Sequence, residues 1–286
     1  MTRVIDFRLR PPLHTYLQTA IWEKSGYTKF NRLQGVEPAP SVLACSPDLM
    51  FEEMQAAGIE IGVMNGRQCN DFRGEVTNAD LARICGDFPG RFYALAGANP
   101  FRGKSNVREA ETFIREYGFK GIAFDPGGYD EPMFCDDPRL FDHYELCLKH
   151  DYPAVLTLGP MGGGGVHFGN ALQVDRLAAR FPELKIVVSH ACWPYAIELC
   201  GVAARRPNVY LMPDMYHVGL PGEEHYTKAI ETVAKNRFVF ASAYPSRPLG
   251  LAVEGYKALP ISPESLNDVL WNTAARLLKL EDGDER

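Results

Sequence analysis

His190 and Asp214 are the residues of this sequence best suited to move a proton. Neutral imidazole near pH 7 can take a proton from water and return it, and a carboxylate can orient the ring or act as a base itself. A histidine packed and hydrogen-bonded in a core would carry no chemistry. Arg8 and Arg10 form a matching cationic pair. A guanidinium keeps its proton and grips a carboxylate through two parallel hydrogen bonds, so the pair suits an acidic group of a substrate or an oxyanion forming on its carbonyl. The other reading ties both arginines to Asp6, Asp125 or Asp214 in a buried network. Asp125, Thr157, Tyr216, Tyr244 and Arg247 are further expected ligand contacts. Cys192 follows His190 by two residues, but no acyl-transfer signature surrounds it and an inert buried thiol is expected. The stretch GPMGGGGVHFGN at 159–170 could offer backbone N–H groups to an anion, with His167 as an added contact. It lacks the Lys-Ser/Thr of a P-loop, so ATP is not expected.

Apolar runs rich in β-branched residues, each followed by a turn and a helical pattern, predict how these side chains are positioned. Strands are expected at 4–8, 59–64, 92–97, 121–125, 154–158, 185–189, 209–212 and 238–242, with helices at 48–57, 78–87, 107–117, 138–150, 171–181, 193–204, 223–235 and 263–279. Such alternation signals parallel βαβ units. With 286 residues, near the roughly 250 that a barrel of this type takes, the economical reading is one α/β domain over 1–286, a (β/α)8 TIM barrel. An open doubly wound sheet is the rival. A long insertion at 11–45 follows the first strand and carries Tyr16, Trp22, Tyr27 and Phe30. It reads either as a lid over the barrel mouth or as a docked peripheral helix pair. Barrel chemistry sits at the C-terminal ends of the strands. Strand one ends in Arg8 and Arg10, strand four in Asp125, strand five in Thr157, strand six in Ser189 and His190, strand seven in Asp214 and Tyr216, and strand eight in Tyr244 and Arg247.

Composition narrows the partners. The net charge of −6 is spread without long like-charged runs, which argues against nucleic acid. No apolar stretch is long enough to span a bilayer and no leader pattern opens the chain, so a cytoplasmic protein without a membrane partner is expected. Seven cysteines, an odd number without CxxC spacing, agree with a reducing compartment. A homo-oligomer stays open.

The opening IDFRLRPP and the phrases GFKGIAFDP (118–126), YPAVLTLGP (152–160), FPELKIVVSHACWPY (181–195), RPNVYLMPDMY (206–216), RFVFASAYP (237–245) and WNTAARLL (271–278) follow one another at barrel spacing. In that order they resemble the amidohydrolase-2 family, which includes aminocarboxymuconate-semialdehyde decarboxylase and related hydrolases. The family opens with Asp-x-His-x-His and holds a metal with those two histidines, a histidine ending strand five, sometimes one ending strand six, and an aspartate in the strand-eight phrase. Matched position by position, these become Arg8, Arg10, Thr157, His190 and Ala243. Only His190 survives, and one imidazole cannot hold a catalytic divalent ion, which commonly needs three protein ligands. No metal or other cofactor is therefore expected. A rebuilt site for an ion such as zinc would draw on His190, Asp6, Asp125 and Asp214. The resemblance implies a hydrolase of the amidohydrolase superfamily acting on a small carboxylated, anionic substrate (a lactone, ester or amide) without the usual metal centre. A decarboxylase of a small carboxylic acid is the alternative, and a non-catalytic ligand-binding barrel is a third.

Overall fold

Seven of the apolar runs form strands: β1 (Val4–Asp6), β2 (Ile59–Asn65), β3 (Phe92–Gly97), β4 (Ile122–Phe124), β5 (Ala154–Thr157), β6 (Ile186–Ser189) and β7 (Val209–Met212). The structure, a computed structural model, describes residues 3–69, 73–162 and 164–280. Residue 163 of the glycine-rich stretch and the two ends of the expected 1–286 domain lie outside them. The strands make one sheet in sequence order, each parallel to the next. Parallel neighbours need crossovers, and helices supply them: α1 (Lys24–Gln34), α2 (Pro40–Ala44), α3 (Pro47–Ala57), α4 (Asn78–Asp87), α5 (Lys104–Glu116), α6 (Phe141–His150), α7 (Ala171–Arg180), α8 (Ala196–Arg205), α9 (Glu223–Glu231), α10 (Leu249–Lys257), α11 (Pro263–Asn267) and α12 (Thr273–Leu278).

Strand side chains alternate between two apolar layers, which is why these runs are apolar throughout. Ile5, Val63, Leu95, Val155, Val187 and Met212 meet in an inner cluster that also takes Ala274, Leu277 and Leu278 of α12. Ile122, Leu156, Ile186, Val188 and Leu211 pack outward against the helices. Ser46 and Ser262 cap α3 and α11 by accepting from the backbone N–H of Leu49 and Ser265, with Pro at the first helical turn. Those caps were legible in the sequence.

The expected eighth strand at 238–242 does not form a ladder. The run makes single bonds to both edges of the sheet instead. Val239 N donates to Leu211 O of β7 at 2.9 Å, Phe7 N donates to Phe240 O at 3.1 Å, and Leu9 bridges Tyr244. Two competitors explain the interruption: Phe240 N donates to Val269 O at 3.0 Å, and Ser242 N donates to the Asp6 carboxylate at 2.9 Å. Val269 belongs to a π-helical turn, Asp268–Asn272, that also splits the single helix expected at 263–279. The observed architecture is thus a curled, TIM-barrel-like α/β sheet of seven parallel strands.

The segment 11–45 is helical over much of its length, with a 3-10 turn at His14–Gln18 followed by α1 and α2. It docks on the loop after the eighth run. Asn31 and Gln34 of α1 both donate to Ser246 O, at 2.9 and 2.8 Å. Ser41 pairs with the Tyr244 hydroxyl at 2.7 Å, and Trp22 meets the Tyr244 ring edge-on at 5.8 Å. Among the described residues no helix is long and apolar enough to cross a membrane.

Candidate functional site

Strands β5, β6 and β7 end in register, with Thr157 beside Ser189 and Ser189 beside Met212. Arg8, just past β1, reaches across the mouth to them. Its Nη1 donates to Thr157 Oγ1 at 3.2 Å and to Ser189 Oγ at 3.0 Å. Ser189 in turn donates to Asp214 Oδ2 at 3.1 Å. His190 Nδ1 lies 2.8 Å from both carboxylate oxygens of Asp214. Asp214 has no exposed side-chain surface, whereas 12% of the His190 side chain is exposed. With Nδ1 held by the carboxylate, Nε2 is the nitrogen left to a ligand.

The backbone here is unusual. His190, Ala191 and Cys192 have φ of 63°, 42° and 58°, and Asp214 has φ of 46°. Consecutive non-glycine residues in the left-handed region cost roughly 1–3 kcal/mol each and persist only where surroundings enforce them. The enforcement is visible: Tyr226 OH donates to Ala191 O at 2.9 Å, Trp193 N to His190 O at 2.9 Å, and the Trp193 indole N–H to Pro221 O at 2.8 Å. Tyr216 stacks on Trp193 and meets the His190 ring edge-on at 5.0 Å. Gly159 is required opposite, because a Cβ there would lie 2.8 Å from His190 Cδ2.

Arg10 Nη1 donates to Ala243 O at 2.8 Å and Tyr244 O at 3.1 Å. Burial, then the charge of Arg8, lowers its guanidinium to about 9. Among the described residues no carboxylate pairs directly with Arg8 or Arg10; of the expected buried network, the link present runs from Arg8 through Ser189 to Asp214. Burial lowers His190 below the usual imidazole value, Arg8 and Arg10 push the same way, and Asp214 opposes them. The ring is therefore neutral near pH 7.

These groups line a cavity of about 290 Å³. Arg8, Arg10, Asp125, Thr157, His190 and Tyr216 of the expected site residues reach it. Asp214 stands behind His190. Tyr244 and Arg247 are not among the lining residues. Tyr244 is buried against Ser41 and Trp22, while Arg247 donates to Val218 O at 2.8 Å and Gln34 Oε1 at 3.3 Å, so both hold the 11–45 segment. His167 packs on Phe134 and Phe168. Cys192 is fully buried, and burial raises its thiol well above the ordinary value.

Several lining residues went unnoticed in the sequence. Arg67 and Arg73 follow β2, and Arg67 Nε donates to Asp125 Oδ2 at 2.8 Å. Burial would raise the Asp125 carboxyl, but Arg67 and Arg73 outweigh it and hold the group below its ordinary value. Gly128 makes room, since a Cβ would lie 2.6 Å from the Arg67 guanidinium. The strand-end rule that singled out Arg8 and His190 applies equally to the end of β2. Lys29 comes from the 11–45 segment, beside Tyr16 and Phe30, two of the aromatic residues noted there in the sequence, and no sequence pattern fixes which face of a helical segment meets a cavity.

Three His, Cys, Asp or Glu groups that could share an ion do not converge anywhere among the described residues. Asp6 accepts from Ser242 and the Arg8 N–H, and burial raises its carboxyl. Asp125 is held by Arg67. The remaining donors, one imidazole backed by one carboxylate beside two guanidinium groups, do not fit a divalent ion, which those cations would repel.

A model of the amidohydrolase family matches residues 35–280. No curated protein matches. The crystal structure of an uncharacterised TIM-barrel protein from Bordetella bronchiseptica is 37% identical, with a TM-score of 0.91 over 97% of this chain and 98% of that one. A 2,6-dihydroxybenzoate decarboxylase from Rhizobium is 17% identical, with a TM-score of 0.70 over 98% and 99% of the two chains. A dihydroxybenzoic acid decarboxylase from Polaromonas, solved with manganese and 2-nitroresorcinol, is 18% identical, with a TM-score of 0.68 over 98% of each chain. The chain belongs to the amidohydrolase family of enzymes.

Proposed function

We propose that this amidohydrolase-family chain hydrolyses a lactone, ester or amide of a small carboxylated molecule without the usual metal centre. One observation carries the reading: the His190–Asp214 pair opens onto a cavity beside two guanidinium groups with which, among the described residues, no carboxylate pairs directly. His190 Nε2 removes a proton from water as the oxygen attacks the carbonyl carbon. Arg8 and Arg10 hold the substrate's acidic group and offset the charge gathering on the carbonyl oxygen. As the tetrahedral intermediate collapses, the imidazolium returns its proton to the departing oxygen or nitrogen. Asp214 keeps the ring in one tautomer and stabilises its cation. The 11–45 segment acts as the lid of the cavity, and the run at 238–244 serves as the eighth element of the barrel. Seven cysteines, none disulfide-bonded, support a cytoplasmic setting.

The test is turnover of a panel of carboxylated lactones, esters and amides by enzyme dialysed against a chelator and checked by elemental analysis. Hydrolysis at an undiminished rate supports the reading. A stoichiometric divalent ion whose removal stops turnover would overturn it. Decarboxylation is the second reading, favoured by the two decarboxylases that share this fold over nearly the whole chain. In that case His190 would protonate the carbon that loses carbon dioxide, and carbon dioxide among the products would decide for it. Tight binding with no turnover of any candidate would point to a ligand-binding barrel.

A further inference from the structure

Positive charge reaches the cavity at two depths. Arg8 is 9% exposed, and its Nε is buried without a hydrogen-bond partner. Lys29 is exposed on α1 and lines the same cavity. The polar contact of its Nζ is Met161 Sδ at 3.8 Å, a weak acceptor, and the ammonium stands 5.9 Å from the Phe30 ring centroid. Among the described residues no carboxylate pairs with it. Asp125 is the lone carboxylate among the described lining residues, and Arg67 already engages it. The donation of Asn31 and Gln34 to Ser246 O fixes the helix that carries Lys29. Ile21, Phe30, Met161 and Met215 supply apolar wall. A ligand with an anionic group at Arg8 and Arg10 therefore meets apolar surface and, at the exposed side of the cavity, a further cation with which no carboxylate pairs among the described residues.

We propose that Lys29 is a specificity-determining residue that binds a second anionic group of the substrate, so that the site selects small dianionic compounds over monoanionic ones. The inference rests on the reading of this cavity as the substrate site. Calorimetric titration at low salt tests it with benzoate, isophthalate and terephthalate as probes, none of which needs to be turned over. At least one dicarboxylate should bind about fivefold more tightly than benzoate, the range expected of one solvent-facing ion pair, and the advantage should shrink as salt is raised. Lys29→Met should erase that advantage and affect benzoate much less than the dicarboxylates, while Lys29→Arg should keep it. Arg8→Met should weaken all three probes. Equal binding of the three acids, binding of none, or an advantage that survives Lys29→Met would each overturn the proposal. Preference for a dianion without hydrolysis of any lactone, ester or amide would sink the hydrolase reading alone. Hydrolysis without charge preference would sink this one alone.

Discussion

Two of the histidines in this molecule face opposite fates. His143 sits in an amide-rich cluster between α5 and α6, its Nε2 2.8 Å from Asn106 Oδ1, with Gln68, Asn78 and Glu109 completing the network. His190 sits at the mouth, with a carboxylate behind it and a cavity in front. Burial lowers both imidazoles, His143 to about 4. Burial therefore does not distinguish them. The carboxylate partner and the open face do, because a base needs a neighbour that stabilises its protonated form and a path to a proton. Among the described residues no carboxylate hydrogen-bonds the His143 ring, and it does not line the cavity that holds His190, so its bond to Asn106 serves packing.

The sharpest way to break the comparison is to remove each ring. His190→Gln should lower kcat about 10³-fold, within the range of a lost acid/base group, with the thermal midpoint little changed. His143→Gln should leave kcat near the wild-type value and destabilise the fold by about 1–3 kcal/mol, the cost of disturbing a buried polar network, read by urea unfolding. Equal losses of activity in the two variants would remove the distinction. Asp214→Asn should cost a comparable factor of about 10³ in kcat, because the amide no longer holds the required tautomer. Circular dichroism should show the fold intact. Arg8→Met should lower kcat/KM about 10²-fold, in line with loss of one preorganised donor, with the protein still folded. Failure to fold would return Arg8 to a structural role.

A pH series separates the two histidines again. Because His190 is lowered in the folded protein, activity should persist below the ordinary imidazole value of about 6.5 and fall only at more acid pH. Stability should behave otherwise. The unfolded chain binds protons on His143 and His217 from about pH 6.5 downward, whereas the folded chain resists until about 4 and about 3. Stability is therefore full above pH 6.5 and is lost as pH falls toward 4, with His143 contributing on the order of 3 kcal/mol. Urea melts at pH 7 and pH 5 check the sign. The smallest effect belongs to Cys192→Ser, which should retain turnover within about twofold, since a raised, buried thiol supplies no nucleophile.

The sequence by itself determined the parallel α/β scaffold. Continuous apolar runs and helical periodicity are local signals, and α4 at Asn78–Asp87 and β3 at Phe92–Gly97 fall where those signals put them. It also located the replaced positions Arg8, Arg10 and Thr157 and the retained His190, because strand ends in this fold converge whatever residues they bear. The eighth run was misjudged as a full strand, since no local pattern reports that Val269 O and Asp6 would take its N–H groups. Only the tertiary structure decided which charges are spoken for. Asp125 is engaged by Arg67 from a loop 58 residues away, Tyr244 and Arg247 bond to the 11–45 segment, and Lys29 reaches the mouth from a helix that sequence spacing left unplaced. Charge pairing depends on distances across the barrel mouth, and those are set by packing between elements far apart in the chain.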